Sequence, residues 1–586
     1  MGANADLAAI IDRMADMMEL LGANRFRVNA HRRAARAIRD QAVDLVTLAD
    51  EPAELQKIEG IGKGIAEKIG EFAGSGAVAE HDELAARVPG GLMALLELPG
   101  VGPKKVKAMW EELGVEGLED LTRVIDDGSL AELKGMGKKT VENIRDSIEF
   151  ASRQTGRTRV GIALPVAEAL IERLRSVGGV EAIEYAGSMR RGREDVGDID
   201  LLVVAEDGAR VREAFVGTPG VERVLANGER KASVRLGVDG RVIQVDLRLV
   251  PASSLGAALM YFTGSKEHNV RLRERALKRG LTLNEYGLFP EDPETDEPPQ
   301  ARGVEPVASG TEEAVYAELG LPWIPPELRE DRGEVSDGYE PPELIRVEDI
   351  VSELHAHTTA SDGKMSIEEL ARAAKARGFH TIAVTDHSVS SVIANGLRPE
   401  RLREHMEAVR SASVRGIRIL AGSEVDILAD GRLDYDDELL AEMDVVVASP
   451  HASLKQGAAA ATSRLLRAIE HPLVHIIGHP TGRLIGKRGG LEPAMDELVA
   501  AAAEHGTALE INANSLRLDL RDTHVRAALE AGVDIAINCD VHRVEHFDQL
   551  RYGVLTARRG GLTADRCVNA WSRARLDRWL RAKRGG

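Results

Sequence analysis

The sequence predicts a multidomain chain, α-helical in its N-terminal part, α+β in its middle and α/β with mainly parallel strands in its C-terminal part. Three observations carry this. At 586 residues the chain exceeds what one core organises, so three or more compact units are expected. Residues 1–150 show helical periodicity broken by glycines, whereas strand-like segments such as IDLLVVA and RVIQVDLRLV fill about 158–252. Beyond 349, segments such as TIAVTDH, DVVVASPH and VHIIGHP alternate with helical ones.

Composition narrows the class. Hydrophobic residues make up 43% and charged residues 29%, ordinary for a globular chain. No apolar run approaches the ~18 residues of a membrane span, so no membrane partner is expected. The N-terminus, MGANADLAAIIDRMADMMEL, reads as an amphipathic helix rather than a signal peptide. Two cysteines, Cys539 and Cys567, cannot build a disulfide framework, which points to a cytoplasmic setting. The net charge of −19 argues only weakly against nucleic acid, because the position of the cations decides binding, and 25–39 is strongly basic. Thirteen of the sixteen histidines follow residue 350, so the two halves carry different chemistry.

The N-terminal part repeats one pattern: IEGIGKGIAEKI (58–69), LPGVGPKKVKAMW (98–110) and LKGMGKKTVENI (133–144). Each has an apolar lead-in, Gly-x-Gly, a basic residue and a helix. Glycine permits the tight turn, and the free N–H groups of the helix start suit a phosphodiester without reading bases. A single copy is equally a turn between packed helices; three copies with Lys63, Lys104 and Lys105, and Lys138 and Lys139 favour the DNA backbone. The pattern resembles helix-hairpin-helix elements, most closely in the first two copies. It assigns 1–88 and 89–152 as helical DNA-binding domains, the second of fingers type, with Gly60, Gly62, Gly100, Gly102 and Lys104 as DNA contacts.

GSMRRGREDVGDID (187–200) enters the strand DIDLLVVA, on which Asp198 and Asp200 share a face. In VIQVDLRLV, Gln244, Asp246 and Arg248 share another. If the strands are neighbours, three carboxylates converge, an unfavourable cluster unless divalent cations neutralise it. Two Mg²⁺ or Mn²⁺ ions would bind a triphosphate and lower the pKa of an attacking hydroxyl. Ser188 and Arg191 would hold triphosphate oxygens.

This stretch resembles the nucleotidyltransferase superfamily and, in its longer form, family X DNA polymerases, the group of DNA polymerase beta. YFTGSKEHNVRLRERALKRGLTLNEYGLF (261–289) is similar to the thumb segment of that family. The resemblance covers about 1–323 and implies a palm over 153–252 and a thumb over 253–323. It implies catalytic Asp198, Asp200 and Asp246, the last helping to activate the primer 3′-hydroxyl. Gly197, Gly264 and Asn269 would line the nucleotide site with Ser188 and Arg191, Tyr261 and Phe262 would flank the sugar, and Arg273 would touch the minor groove with Asn269. Lys68 aligns with the family's lyase nucleophile. Yet Arg27 and His31 stand where the lyase site has a lysine and a tyrosine, and Gly64 replaces another lysine, so lyase chemistry and a plain phosphate contact both stay open. Gln244 replaces an arginine, a departure that bears on closure control.

Residues 324–348 have the prolines and charges of an exposed linker. Beyond them come ELHAHTTASDG, TDH, GSEVDI, SPH, GHP and CDVH, each following or ending a β-rich run. In a parallel α/β barrel such positions lie at one rim, where several strands deliver ligands to one site. Imidazoles and carboxylates without thiolates suit Zn²⁺, Mn²⁺ or Fe²⁺. The series resembles the polymerase and histidinol phosphatase (PHP) domain over 349–586, which implies a distorted (β/α)7 barrel. The resemblance also implies up to three ions on His355, His357, Asp362, His387, Glu424, His451, His479, Asp540 and His542. The remaining histidines, such as His380, His471, His475 and His505, read as structural or exposed. Lys455, Arg483, Lys487 and Arg488 either guide a DNA strand or form a solvated face.

Together these resemblances imply a gap-filling repair DNA polymerase, acting as a monomer on gapped or primer-template DNA with dNTPs. The PHP site would remove 3′ nucleotides, with 3′-phosphate removal or cleavage at abasic sites as further activities. Two alternatives stand: a PHP half that hydrolyses small phosphoesters, and a non-catalytic DNA-end scaffold.

Overall fold

The computed structural model describes residues 3–98, 101–138, 157–295 and 297–583, with 140–142, 144, 145 and 148. The chain divides into two compact units, 1–155 and 156–586.

In the first unit, helices Ala3–Leu20 and Arg25–Arg39 pack together, the second opened by the Asn24 side chain accepting from the Phe26 N–H. Their apolar faces join one core that runs from Leu7 through Leu92 and Val106 to Met136 and Ile144. The stretches 1–88 and 89–152 thus share a single interior. Gly62 and Gly102 stand at the N-terminal ends of helices Lys63–Ser75 and Pro103–Leu113. Gly60 takes φ +96°, and a Cβ there would lie 3.3 Å from that of Ala37, so the turn requires glycine on both counts.

The second unit begins with a five-stranded sheet in the order 180–185, 198–205, 241–249, 231–238, 221–227. Helices Val160–Arg175 and Gly208–Val216 pack on it. Alternation sets the faces: Ile199, Leu201 and Val203 are fully buried with Val245 and Leu247, while Asp198 and Asp200 turn the other way. Helices Leu255–Thr263 and Lys266–Leu277, the hairpin 281–290 and helix Glu312–Glu318 follow, around Leu272, Leu288, Val315 and Tyr316.

The stretch 324–348 is not an exposed linker along its first half. Ile324 belongs to that same core, with Leu328, Val335 and Tyr339 packed against it. Its charges are paired rather than solvated. Arg329, fully buried, donates to Glu312, and Glu334 bonds His268, whose other nitrogen meets the Tyr316 hydroxyl at 2.7 Å. Glu330 accepts from both Arg191 (3.1 Å) and Arg559 (2.8 Å), and Arg559 also bonds Asp522. One buried carboxylate therefore ties the palm turn to the C-terminal helix Leu550–Gly560.

The C-terminal part is a nearly closed barrel of seven parallel strands in chain order: 352–353, 381–384, 418–426, 445–449, 476–477, 508–512 and 535–538. Its ends meet where the His357 N–H donates to the Val541 carbonyl (2.8 Å) and the Val541 N–H to that of His355 (3.1 Å).

Two candidate active sites

On the palm sheet the strands 198–205 and 241–249 are parallel neighbours, with Asp200 in register with Asp246 and Asp198 with Gln244. The three carboxylates converge as the sequence led us to expect. Lys231 Nζ lies 2.5 Å from Asp246 Oδ2, and Gln244 donates to Asp246 Oδ1 at 3.1 Å. Burial, then the charges of Asp198 and Asp246, push Asp200 up to about 7; burial and Asp246 likewise raise Asp198. Lys231 on Asp246, with Arg248 and Arg157 acting on Asp200 and Asp198 through space, still leaves this oxygen-only cluster under-neutralised, which fits hard divalent cations. Gly187, at φ +63°, opens the turn beside it. A Cβ there would come within 2.5 Å of Asp200 Oδ2, so glycine keeps the carboxylate accessible.

Ser188 is half-buried in the short helix Gly187–Arg190 beside the cluster, and Gly197 is exposed just before Asp198. Arg191 differs from the expectation that it reaches freely towards phosphates. Its guanidinium is buried, donates to the Thr263 carbonyl and to Glu330, and burial lowers its pKa. Tyr261 and Phe262 make an edge contact at 5.1 Å, and the Arg248 guanidinium lies 4.4 Å over the Phe262 ring. Gly264 ends their helix at φ +69°, and Asn269 donates to the Tyr261 carbonyl at 2.6 Å. Arg273 is exposed on the next helix.

All nine residues expected at the barrel rim meet there. Glu424 is the hub: His479, His355 and His451 approach Oε1 at 3.0, 3.2 and 3.2 Å, while His387 and His357 approach Oε2 at 2.9 and 3.6 Å. Asp540 lies 3.1 Å from His357, and Asp362 lies 3.3 Å from His542 and 3.6 Å from His387. The floor is buried, with His355 and His357 fully so and Glu424 nearly so. Asp362, His451 and His542 are partly exposed and form the mouth.

Electrostatics follows from that packing. Burial alone would raise Glu424, but His355, His451 and His387 hold it well below the usual carboxylate range. Burial opposes charge on His451 and His542, yet Glu424 and Asp426 push the first up to about 10, and Asp362 and Asp540 the second to about 9. His357, buried beside His387 and His542, falls to about 4. His355 Nε2, His357 Nε2, both oxygens of Glu424 and Asp540 Oδ1 are buried and face one another at 3.1–3.7 Å without making well-formed hydrogen bonds. Such convergent ligand atoms fit divalent metal ions. His479 and Asp540 hold left-handed backbone at φ +27° and +53°, strain that the surrounding rim sustains.

Sequence reasoning missed the next layer. Glu510 accepts from His355 Nδ1 (2.7 Å), the His479 N–H (2.7 Å) and Asn538 (2.9 Å). Asp426 meets His451 Nδ1 at 2.9 Å. Asp386, whose pKa is lowered against its burial chiefly by His405, ties down the Thr358–Ser361 loop. These partners fix ring orientation and tautomer. Arg483 faces no DNA path: it is buried against Glu194 (2.6 Å) and the Leu518 carbonyl.

In the first unit Gly60, Gly62, Gly102, Lys63 and Lys104 are exposed at their helix starts; Gly100 and Lys139 lie outside the described residues. Lys68 is engaged rather than free, 2.8 Å from Glu80, which also pairs with Arg27.

Family comparisons agree with this layout. The chain matches the families described as helix-hairpin-helix domain over 2–77 and SAM-like helix-hairpin-helix tandem over 92–149. It also matches DNA polymerase beta thumb over 258–330 and PHP domain over 353–514. The thumb match extends to 330, into the stretch expected to be linker, whose packing continues to Tyr339. The DNA polymerase/3′-5′ exonuclease PolX of Bacillus subtilis (strain 168) is 39% identical over 578 residues, 98% of this chain and 99% of that one. DNA polymerase lambda of Rattus norvegicus is 27% identical over 47% of this chain and 48% of its own. A probable phosphatase of Syntrophotalea carbinolica is 36% identical over 28% of this chain and 65% of its own.

Proposed function

Because the chain belongs to the PolX family of DNA polymerase/3′-5′ exonucleases, we propose that its two activities reside in the two acidic centres described above. The protein is a DNA-directed DNA polymerase with a PHP-domain 3′-5′ exonuclease. Its helix-hairpin-helix elements bind the DNA.

In the palm, Asp198 and Asp200 would hold two divalent ions, Mg²⁺ or Mn²⁺, which when bound would supply the charge that neutralises the dNTP triphosphate. Asp246 accepts the proton of the primer 3′-hydroxyl, and Lys231, 2.5 Å away, steadies its negative charge. Ser188 and the backbone of the Gly187 turn hold phosphate oxygens, with Gly197 and Gly264 admitting the close approach. Arg191 joins them when it shifts from the Thr263 carbonyl. Tyr261 and Phe262 pack the sugar, and Asn269 and Arg273 reach the minor groove.

In the barrel, the nine rim residues would hold up to three ions, Mn²⁺, Zn²⁺ or Fe²⁺, which when bound would supply Lewis acidity towards a phosphodiester. Glu424 and Asp540 would be among the ligands, and the buried floor leaves the mouth as the open side. Release of 3′-phosphates and cleavage at abasic sites use the same geometry. We propose gap filling by a monomer; the two cysteines are free and buried, and no described helix is long and apolar enough to cross a membrane. Lys68 serves as a phosphate contact by exchanging Glu80, its partner here at 2.8 Å, for a phosphate oxygen.

The observation that carries the assignment is the convergence of two separate ligand sets, three carboxylates in one place and nine side chains in the other. Primer extension and 3′-end degradation with Mn²⁺ test it. Asp198→Ala should lose extension and keep degradation, and His355→Ala the reverse. Extension by Asp198→Ala at the parent rate would refute the palm assignment.

A further inference from the structure

The mouth of the barrel site carries an apolar feature that metal binding does not explain. Among the described residues nine large apolar side chains are exposed, and three of them follow metal-centre ligands closely: Val392 and Ile393 after His387, and Val544 after His542. Val392 is 79% exposed and Ile393 fully so. Single exposed apolar residues need no explanation, but two adjacent ones at the tip of a braced loop do.

The loop 388–397 is held at its base and on both flanks. The Leu397 N–H donates to the His387 carbonyl at 2.8 Å, closing the loop on the ligand itself. Ser390 donates twice to Asp434, through its N–H and its hydroxyl, at 2.6 Å each. Ser391 bonds Asp426, the partner of His451. On the other side Asn395 donates to the Ala360 carbonyl, two residues before Asp362. The tip is thus braced against the neighbours of His451 and Asp362, two of the three ligands that open to solvent. Val544 stands two residues past the third, His542, its carbonyl accepting from Arg377.

We propose that Val392 and Ile393 form a wedge that packs against the terminal bases of the strand being degraded and unstacks the 3′ nucleotide. This inference rests on the assignment of the exonuclease to the barrel. A phosphodiester at the end of a duplex is shielded by pairing and stacking, and entry to a recessed, dry centre requires the terminal nucleotide to leave the stack. Aliphatic side chains inserted at a base step do this in proteins that kink DNA. An apolar tip also suits bases better than phosphates, for which the rim already holds metal ligands.

The test compares the full-length parent with a Val392→Ser/Ile393→Ser variant, whose changes lie in solvent and leave the core intact. Three probes are degraded with Mn²⁺: a duplex with a paired 3′ end, a single strand, and bis(p-nitrophenyl) phosphate. The wedge predicts a fall of about ten-fold on the paired end. It predicts little change on the single strand and none on the small ester. Equal loss on all three would mean that the loop merely supports the metal centre, and no loss on any would mean that the tip docks something other than DNA; either overturns the wedge. His355→Ala in parallel separates the two ideas, because undiminished DNA degradation by that variant would overturn the site assignment itself.

Discussion

The palm and the barrel solve the same problem, gathering like charges at one place, in opposite ways. The palm sets three half-buried to buried carboxylates together, and burial and mutual repulsion outweigh Arg248 and Lys231, so Asp200 rises to about 7. The barrel interleaves its carboxylates with imidazoles, and Glu424, far more deeply buried, stays well below the usual range. We expect the first, an oxygen-only site, to gain its ions together with substrate phosphates. We expect the second, internally compensated and rich in imidazole nitrogens, to keep its ions between turnovers.

Variants can break this contrast, and the largest effect is expected at the ligands. Asp200→Ala should lower primer extension by at least about a thousandfold and leave 3′-end degradation unchanged; single-turnover assays of both activities check it. Next comes the layer behind the ligands. Glu510→Gln keeps the shape but loses the charge facing His355, and should weaken metal binding or degradation by about 10- to 100-fold without touching extension. A metal titration followed by degradation rate measures both.

Smaller effects should come from the junction. Burial would raise Glu330, but Arg559 and Arg191 outweigh it and hold its pKa at about 2. A depressed carboxylate stabilises above its unfolded value and loses that contribution as pH falls towards the folded one. Glu330→Gln should therefore destabilise the second unit by about 3 kcal/mol at neutral pH. The gap to the parent should narrow below about pH 4.5, as thermal melting across pH would show. The smallest change is expected in the first unit, where Lys68→Ala should leave extension on an ungapped primer-template within about two-fold, since its amine meets Glu80 and none of the palm carboxylates.

Much of this was legible in the sequence, for a physical reason. Metal ligands must be particular residue types at strand ends, so His355-x-His357 and Asp540-x-His542 announce themselves, as does Asp198-x-Asp200 by strand alternation. Glu510 does not, because a lone glutamate in a buried strand carries no local signal and its partner His355 is 155 residues away. Composition misled over 324–348 because it cannot distinguish a solvated charge from a paired one. Glu330 and Arg329 look like linker residues until Arg559 and Glu312 are placed beside them. Arg191 shows the same blind spot, since its motif announces a phosphate ligand while the fold occupies it with Glu330.

Metal content after gel filtration in metal-free buffer tests the contrast most directly. Parent and Asp200→Ala should retain the same ions, and Glu424→Ala should lose them. Retention by Glu424→Ala, or loss by Asp200→Ala, would contradict a barrel that holds its metals and a palm that borrows them.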